Sequence, residues 1–258
     1  MTPTFVDTHC HFDFDPFFGN EEESLRLAAA AGVEKIIGVG VSADRFAGVM
    51  ALAEKWPPLY AALGTHPMAI AQHDESHLEQ LETYLKLKPN KLVAIGEIGL
   101  DLFIDDPQFE KQERVLAAQI RLAKQYDLPV ILHSRRTHDK LALHLRRLDL
   151  PRRGVVHGFA GSEQQALAFI RAGYAIGVGG TITYERASKT RHAIARLPLT
   201  SLLLETDSPD MPLQGFQGQP NRPERVKNVW QSLCELREES PQEIAETLRE
   251  NTRTLFQL

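Results

Sequence analysis

Short apolar segments recur eight times along this chain, and a longer segment of helical periodicity follows each of the first seven. The apolar segments carry β-branched residues on both faces, a pattern typical of parallel strands that helices cover. We predict strands over residues 5–9, 35–41, 59–64, 92–97, 130–133, 154–157, 174–179 and 201–205. We predict helices over residues 21–31, 43–54, 75–87, 108–126, 137–148, 162–172 and 186–196, followed by two more over 223–238 and 241–256.

Eight strands that alternate with helices fit either a closed barrel or an open, doubly wound sheet. No glycine-rich phosphate-binding motif follows the first strand, which disfavours an open nucleotide-binding sheet. Barrels of this kind usually have about 250 residues, and no linker or low-complexity segment divides the 258 residues of this chain. The predicted fold is therefore of the α/β class, a single (β/α)8 TIM barrel over residues 1–258 with an extra C-terminal helix.

The composition restricts the partners and the compartment. A net charge of −5 argues against a broad basic surface for duplex DNA or an anionic membrane, so any phosphate recognition is expected to be local. Only two cysteines occur, Cys10 and Cys234, which favours a reducing, cytoplasmic location over a disulfide framework. No secretory signal and no apolar run of roughly 18 residues is found. We expect no membrane association, and no sequence feature indicates an obligate protein partner.

Polar side chains end five of the predicted strands, where a purely structural strand would simply turn. Because the carboxyl ends of all strands of a closed barrel meet at one rim, these side chains are predicted to converge there. They are His9, His11, Glu97, His133, His157 and Asp207. Imidazoles and carboxylates in one pocket would hold divalent cations. Each residue alone also has a plainer interpretation, either a histidine packed in the core or a carboxylate in a salt bridge.

Strand periodicity and position refine this prediction. Alternation places His9 and His11 on one face of the first strand, and Glu97 on the face that carries Val93 and Ile95 in the fourth. His66 follows the third strand and is predicted either to join the site or to cap a turn. The remaining histidines are predicted to lie at the surface on loops or helices. They are His73, His77, His138, His144 and His192.

An ordered set of motifs extends over almost the whole chain. The motifs are D-T-H-C-H at 7–11, G-T-H-P at 64–67, G-E-I-G-L-D at 96–101, H-S-R at 133–135, H-G-F-A-G at 157–161, E-T-D-S-P at 205–209, P-N-R-P at 220–223 and N-T-R-T-L-F at 251–256. On these motifs the chain resembles the TatD family of metal-dependent hydrolases, within the wider amidohydrolase superfamily. It departs from the family pattern at Leu102-Phe103 and at Gly158, where no implied ligand is touched but substrate fit could change.

The resemblance implies two divalent cations, whose identity stays open among zinc, manganese and magnesium. Glu97 would bridge them. One cation would be held by His9, His11, Glu97 and Asp207, and the other by Glu97, His133 and His157. The resemblance also implies a deoxyribonuclease that trims from a 3′ end, so single-stranded DNA or a DNA 3′ end would be the substrate.

A mechanism for such a centre assigns roles to four catalytic residues. We predict that a water activated by two cations attacks a phosphodiester bond, with Glu97 bridging the cations and Asp207 accepting the water's proton. Arg135 would clamp a phosphate oxygen and His66 would steady the leaving oxygen, although a solvated Arg135 and a capping His66 are equally open. Glu205 would orient the ligands from behind.

Two further segments could contact a substrate. A proline- and glycine-rich loop over residues 208–225 follows the eighth strand, and its Phe216 would either stack on a base or pack against the protein. Basic residues around the fifth predicted helix would either steer a polyanion or merely solvate a helix face. They are Arg135, Arg136, Lys140, Arg146, Arg147, Arg152 and Arg153.

Two other functions stay open from the sequence. The same cations could serve the hydrolysis of a small amide, lactone or phosphate ester, because fold and ligands do not dictate the substrate. A non-catalytic binding protein on a degenerate barrel is the third hypothesis, and the intact set of predicted ligands counts against it.

Overall fold

The computed structural model describes residues 2–258, and its eight parallel strands neighbour one another in chain order. The strands are β1 (Phe5–Cys10), β2 (Val33–Val39), β3 (Leu59–Leu63), β4 (Leu92–Asp101), β5 (Val130–Arg135), β6 (Gly154–Val156), β7 (Ala175–Val178) and β8 (Leu202–Leu204). The helices are α1 (Glu21–Ala30), α2 (Phe46–Lys55), α3 (Glu75–Lys86), α4 (Phe109–Gln125), α5 (His138–Leu148), α6 (Glu163–Arg171), α7 (Ser188–Arg196), α8 (Val226–Leu236) and α9 (Pro241–Phe256).

The sheet closes where the ends of β1 and β8 meet. The backbone N–H of Asp207 donates to the carbonyl of His9, and that of His11 donates to the carbonyl of Ser208, both at 2.8 Å. These bonds join the first strand to the segment that follows the last, so the predicted (β/α)8 barrel is confirmed. The last helix, α9, is the extra C-terminal helix, and it contacts both β1 and β8.

Two apolar layers hold the barrel together. The outer layer lies between the strands and the helices and contains most of the buried side chains. The inner layer fills the barrel with small and β-branched side chains and includes Phe256 of α9, so this helix seals one end of the interior. The inner layer consists of Ile37, Val39, Ala62, Val93, Ala94, Ile131, Val155, Leu203 and Phe256.

Local signals in the sequence determine where several helices begin. Ser162 and Gln165 form a capping box at the start of α6, each side chain accepting a hydrogen bond from the other residue's backbone N–H. Ser240 caps α9 by accepting from the backbone N–H of Glu243 at 3.2 Å, and Pro241 occupies the first helical position. These caps pair backbone N–H groups that have no partner within a helix.

The fourth strand differs from its prediction in length and in the direction of its side chains. It continues beyond Glu97 to Asp101 because it keeps pairing with β5. Ile95 packs in the outer layer, not on the face of Val93, so the predicted shared face of Val93, Ile95 and Glu97 is wrong. A register shift between Leu92 and Ala94, against β3, separates Ile95 from the face of Val93. A second shift between Ile95 and Ile98, against β5, lets Glu97 point into the pocket.

Smaller differences affect the ends of other elements. A separate 3-10 turn, Ala43–Arg45, precedes α2, and α7 begins at Ser188, two residues after its predicted start. Strands β6 and β8 end just before His157 and Glu205. Within residues 2–258, no helix is long and apolar enough to cross a membrane.

The inner layer generates a stability prediction. Leu203→Ala should lower the free energy of unfolding by about 3 kcal/mol, because it removes a fully buried side chain from the closed barrel. Leu143→Ala, the same substitution at a leucine that is 39% exposed, should change it by less than about 0.5 kcal/mol. Equilibrium unfolding in urea measures both values, and equal losses in the two variants would contradict the assigned core.

Candidate metal centre

Glu97 lies at the centre of a polar cluster at the open end of the barrel and is only 2% exposed. Its Oε2 is 3.1 Å from Nε2 of His9 and 3.6 Å from Nε2 of His11. Oδ1 of Asp207 completes this group at 3.4 Å and 3.2 Å from the same two nitrogens. Asp207 reaches this position through a left-handed backbone φ of 60° in the turn after β8. Ligand-type atoms of His9, His11 and Asp207 thus face one oxygen of Glu97.

The other oxygen of Glu97 faces a second group of imidazoles. Its Oε1 lies 2.6 Å from Nε2 of His157, 3.0 Å from Nδ1 of His133 and 3.1 Å from Nε2 of His66. The structure therefore brings together all six residues predicted from the strand ends, and His66 joins them. The two carboxylate oxygens of Glu97 divide the surrounding imidazoles into two sets.

Hydrogen bonds on the far side of two rings determine which nitrogen carries a proton. Nδ1 of His11 is 3.0 Å from the carbonyl of Val39, and Nε2 of His133 is 2.8 Å from the carboxylate of Asp101. Because these oxygens only accept, His11 carries its hydrogen on Nδ1 and His133 carries it on Nε2. In the neutral rings, the nitrogens that face Glu97 therefore present lone pairs, as metal ligands do.

His66 has the opposite arrangement. Its Nδ1 accepts a hydrogen bond from the backbone N–H of Met68 at 2.9 Å, which caps the following 3-10 turn. In the neutral ring Nε2 consequently carries the hydrogen and donates it to Glu97. Burial lowers the pKa of His66, which favours this neutral form. Both roles considered for His66, a cap and a member of the site, are present in the geometry, and the tautomer makes it a donor.

The cluster strongly perturbs the titration of its members. Burial alone would raise the pKa of Glu97, but the neighbouring imidazoles, His157 foremost, hold it well below its usual range. Burial opposes the charged form of His11, yet the hydrogen bond to Asp207 and the negative charge of Asp207 raise its pKa to about 9. The pKa of His133 is also raised, against burial, by Asp101 and Glu97. When no cation is bound, protons between the imidazole nitrogens and the carboxylate oxygens stabilise the cluster.

The donor set fits divalent cations. Nitrogen lone pairs and carboxylate oxygens face one another at about hydrogen-bond distance, and only a proton or a cation between them relieves the repulsion. Within residues 2–258, Nδ1 of His9, Nδ1 of His157 and Oε2 of Glu205 are buried without a hydrogen-bond partner. Three of the eight such atoms in the described residues therefore lie in or beside this cluster, where a bound ligand would give polar groups a partner.

Two carboxylates support the cluster from behind, and the sequence indicated only one of them. Glu205 accepts a hydrogen bond from the backbone N–H of Gly158, and its Oε1 lies 3.7 Å from Nδ1 of His157. Gly177 leaves the space for this carboxylate, because a Cβ there would collide with it. Asp101, which holds His133, was not among the predicted site residues, although it ends the G-E-I-G-L-D motif.

The cluster forms the floor of a pocket of about 1000 Å³. Arg135 stands at its rim with Arg136, and the exposed side chains of Met68 and Met211 provide apolar lining. Residues 209–211 of the loop after β8 also line the pocket. Phe216 of the same loop does not line it, since the ring packs partly buried against the outer layer and under Arg225.

Three surface predictions for histidines hold and two are wrong. His192 is exposed, and His77 and His144 are half-buried outside the pocket. His73 is buried, with 7% exposure. His138 lines the pocket because its Nδ1 bonds to Ser134 at 2.7 Å and its Nε2 bonds to the carbonyl of Ala160 at 2.8 Å. The helical pattern of polar and apolar residues does not indicate such contacts between neighbouring elements.

Comparison with known proteins places this site in a family. The model of TatD-related DNases matches residues 6–257. The chain belongs to the TatD family. It is 66% identical over 256 residues to the uncharacterized metal-dependent hydrolase YjjV of Escherichia coli K12, with 99% of both chains covered. The crystal structure of E. coli YjjV superposes with a TM-score of 0.98 at 65% identity over the full length of both chains.

A further relative in the TatD family carries a named activity. The 3′-5′ ssDNA/RNA exonuclease TatD of Rahnella sp. strain Y9602 is 32% identical to this chain over 242 residues, with 91% of each chain covered. Together with the clusters of metal-ligating side chains, these relationships make the chain a metal-dependent hydrolase of the TatD family.

The protonation of the cluster predicts how cation uptake depends on pH. At pH 7.5 His11 is protonated in the metal-free chain, because its pKa of about 9 lies above that pH, and it must lose this proton to bind a cation. Zinc or manganese added to metal-free protein in weak buffer should release at least one proton per chain at pH 7.5. Release should be smaller at pH 8.5, where a larger fraction of His11 has already lost its proton. A pH indicator measures it, and cation binding without proton release at pH 7.5 would contradict the assignment of His11.

Proposed function

We propose that this TatD-family hydrolase cleaves phosphodiester bonds at the 3′ ends of single-stranded DNA with the help of two divalent cations. The observation that carries the proposal is the division of the Glu97 carboxylate between two sets of ligand atoms. One cation would lie among His9, His11, Asp207 and Oε2 of Glu97. The other would lie among His133, His157 and Oε1 of Glu97. Zinc and manganese suit this mixture of nitrogen and oxygen, whereas magnesium usually prefers more oxygen ligands.

The cations, when bound, supply Lewis acidity that polarises phosphoryl oxygens and acidifies water. The chain supplies the proton acceptor. Oδ1 is the oxygen of Asp207 nearest the histidines, and the side chain is 19% exposed, which leaves Oδ2 to take a proton from water. The surrounding imidazoles lower the pKa of Asp207 against the effect of burial, which keeps the carboxylate ionised at neutral pH.

A donor stands on the other side of the Glu97 carboxylate. His66 presents Nε2–H towards the cluster and lines the pocket, and its Nδ1 is held by Met68. A hydrogen-bond donor whose orientation is held before the substrate arrives stabilises charge that develops on an oxygen during the reaction. We assign His66 to the leaving oxygen of the cleaved phosphodiester.

Features of the pocket support a nucleic-acid end as the substrate. The volume of about 1000 Å³ is large enough for more than one nucleotide, and the rim carries Arg135 beside the apolar Met68 and Met211. Phosphates pair with guanidinium groups, while bases and sugars pack against apolar surface. The activity in the name of the Rahnella relative is of the same class.

The test of this function uses metal-reconstituted protein and single-stranded DNA with a free 3′ end, beside a panel of small amides, lactones and phosphate esters. Asp207→Asn should lower the rate of DNA digestion at least 100-fold at saturating manganese, because it removes the proton acceptor and a ligand. A chelator should abolish digestion. Asp139→Asn makes the same chemical change at an exposed residue of α5 and should leave the rate unchanged. Turnover of amides or lactones alone would overturn the proposal.

A further inference from the structure

An exposed aromatic ring lies against two arginines of the pocket lining, where β4 and β5 end side by side. Asp101 and Arg135 are paired in the last register of the two strands, and the backbone N–H of Leu102 donates to the carbonyl of Arg135 at 3.1 Å. Phe103 follows with 48% of its surface exposed. Its backbone N–H donates at 2.7 Å to Oδ1 of Asp101, whose other oxygen holds His133. The carboxylate of Asp101 therefore contacts both the backbone of Phe103 and the ring of His133.

Two guanidinium groups lie over this ring. The central carbons of Arg135 and Arg136 are 3.8 Å and 4.4 Å from the centroid of Phe103. Successive side chains of a strand would point to opposite faces, but Arg136 adopts a left-handed φ of 57°, so both side chains reach the same ring. The cation–π contacts hold two positive charges side by side, where their mutual repulsion would otherwise separate them.

Neither guanidinium group is neutralised by the protein. Across residues 2–258, no carboxylate or carbonyl forms an ion pair or hydrogen bond with the side chain of Arg135 or Arg136. Both residues line the pocket. Two other basic residues of the same segment, which lie outside the pocket, are engaged by the protein. Arg152 donates to the carbonyls of Asp127 and Leu255, and Arg153 to Asp149. Two unpaired, oriented cations at a pocket rim call for an anionic ligand.

We propose that Arg135, Arg136 and Phe103 form a subsite for a second phosphate group of the substrate, next to the phosphodiester that is hydrolysed. This inference rests on the proposed function, and it deepens that function by adding a requirement for a flanking charge. Arg135 follows the proposed cation ligand His133 by two positions in β5, which is about 6.6 Å of strand. The arginines therefore stand beside the metal centre, not within it.

The consequence is a preference for substrates that carry more than one phosphate. A single phosphate ester would occupy only the metal centre and leave both guanidinium groups unpaired. A DNA strand cleaved at its last linkage would place the penultimate phosphate in the subsite, where two planar groups of N–H donors meet it. The subsite thus distinguishes a nucleic-acid end from a small ester. It also accounts for local phosphate recognition by a chain whose net charge is −5.

The test uses tetrathymidylate in which a single linkage is a methylphosphonate, which keeps the linkage but removes its charge. In wild-type protein, neutralising the penultimate linkage should lower kcat/KM for release of the 3′ nucleotide about tenfold, relative to neutralising the linkage nearest the 5′ end. Arg135→Ala and Arg136→Ala should each lower kcat/KM about tenfold on the all-phosphate strand. Each variant should lose less than wild type when the penultimate charge is also removed, because part of the same interaction is already deleted.

Two further variants distinguish the contributions of the Phe103 ring and of the two pocket arginines from the effect of the protein's overall charge. Phe103→Leu keeps both arginines but removes the platform, and it should reproduce part of the loss. Arg146→Ala removes an equal charge from the exposed face of α5, outside the pocket, and should behave as wild type. An unaltered response to the neutral penultimate linkage in Arg135→Ala and Arg136→Ala, or equal losses in Arg146→Ala, would overturn the subsite.

A binding measurement distinguishes failure of the subsite from failure of the proposed function. Wild-type hydrolysis of bis(p-nitrophenyl) phosphate, which has one phosphate, tests the metal centre without the subsite. If wild type cleaves no phosphodiester, the proposed function fails. The subsite is then tested by the fluorescence anisotropy of the same tetrathymidylates, each carrying a fluorescent label, with chelator present. Affinity that depends on the penultimate charge in wild type but not in Arg136→Ala would support it. Equal affinities for both strands would contradict it.

Discussion

The rest of the structure depends on one electrostatic constraint. Around Glu97, imidazole nitrogens face carboxylate oxygens, and the lone pairs of these atoms repel one another. A buried pocket cannot hold such an arrangement without positive charge between the groups. Protons supply that charge when no cation is bound, so the pKa of His11 rises to about 9 while that of Glu97 falls. We propose that divalent cations, when bound, would take the place of these protons, with the imidazole nitrogens as neutral ligands.

The barrel supplies the rigidity that this arrangement needs. Glu97 enters the pocket through the register shift in β4, and Asp207 enters it through a left-handed turn after β8. The backbone bond from Asp207 to His9 closes the barrel and fixes two of the ligands at once. Because the same bonds hold the fold and place the ligands, the geometry of the site depends on closure of the barrel.

The fold and the six residues at the strand ends could be predicted because both depend on regular periodicity and on one topological rule, that parallel strand ends share a rim. The features that could not be predicted depend on irregular strand pairing and on contacts between separate elements. The face of Ile95 was wrong because β4 shifts register, and Asp101 was missed because β4 was expected to end four residues earlier. The positions of His138 and Phe216 depend on contacts between separate elements, which single-chain patterns do not contain.

The most direct test of the central claim is an anomalous difference map from crystals of the protein loaded with manganese or zinc. We predict two peaks about 3.5–4 Å apart, with one oxygen of Glu97 bound to each. One peak would lie among His9, His11 and Asp207, and the other between His133 and His157. A single peak, or two peaks with Glu97 bound to only one, would contradict the bridging role from which the proposed chemistry follows.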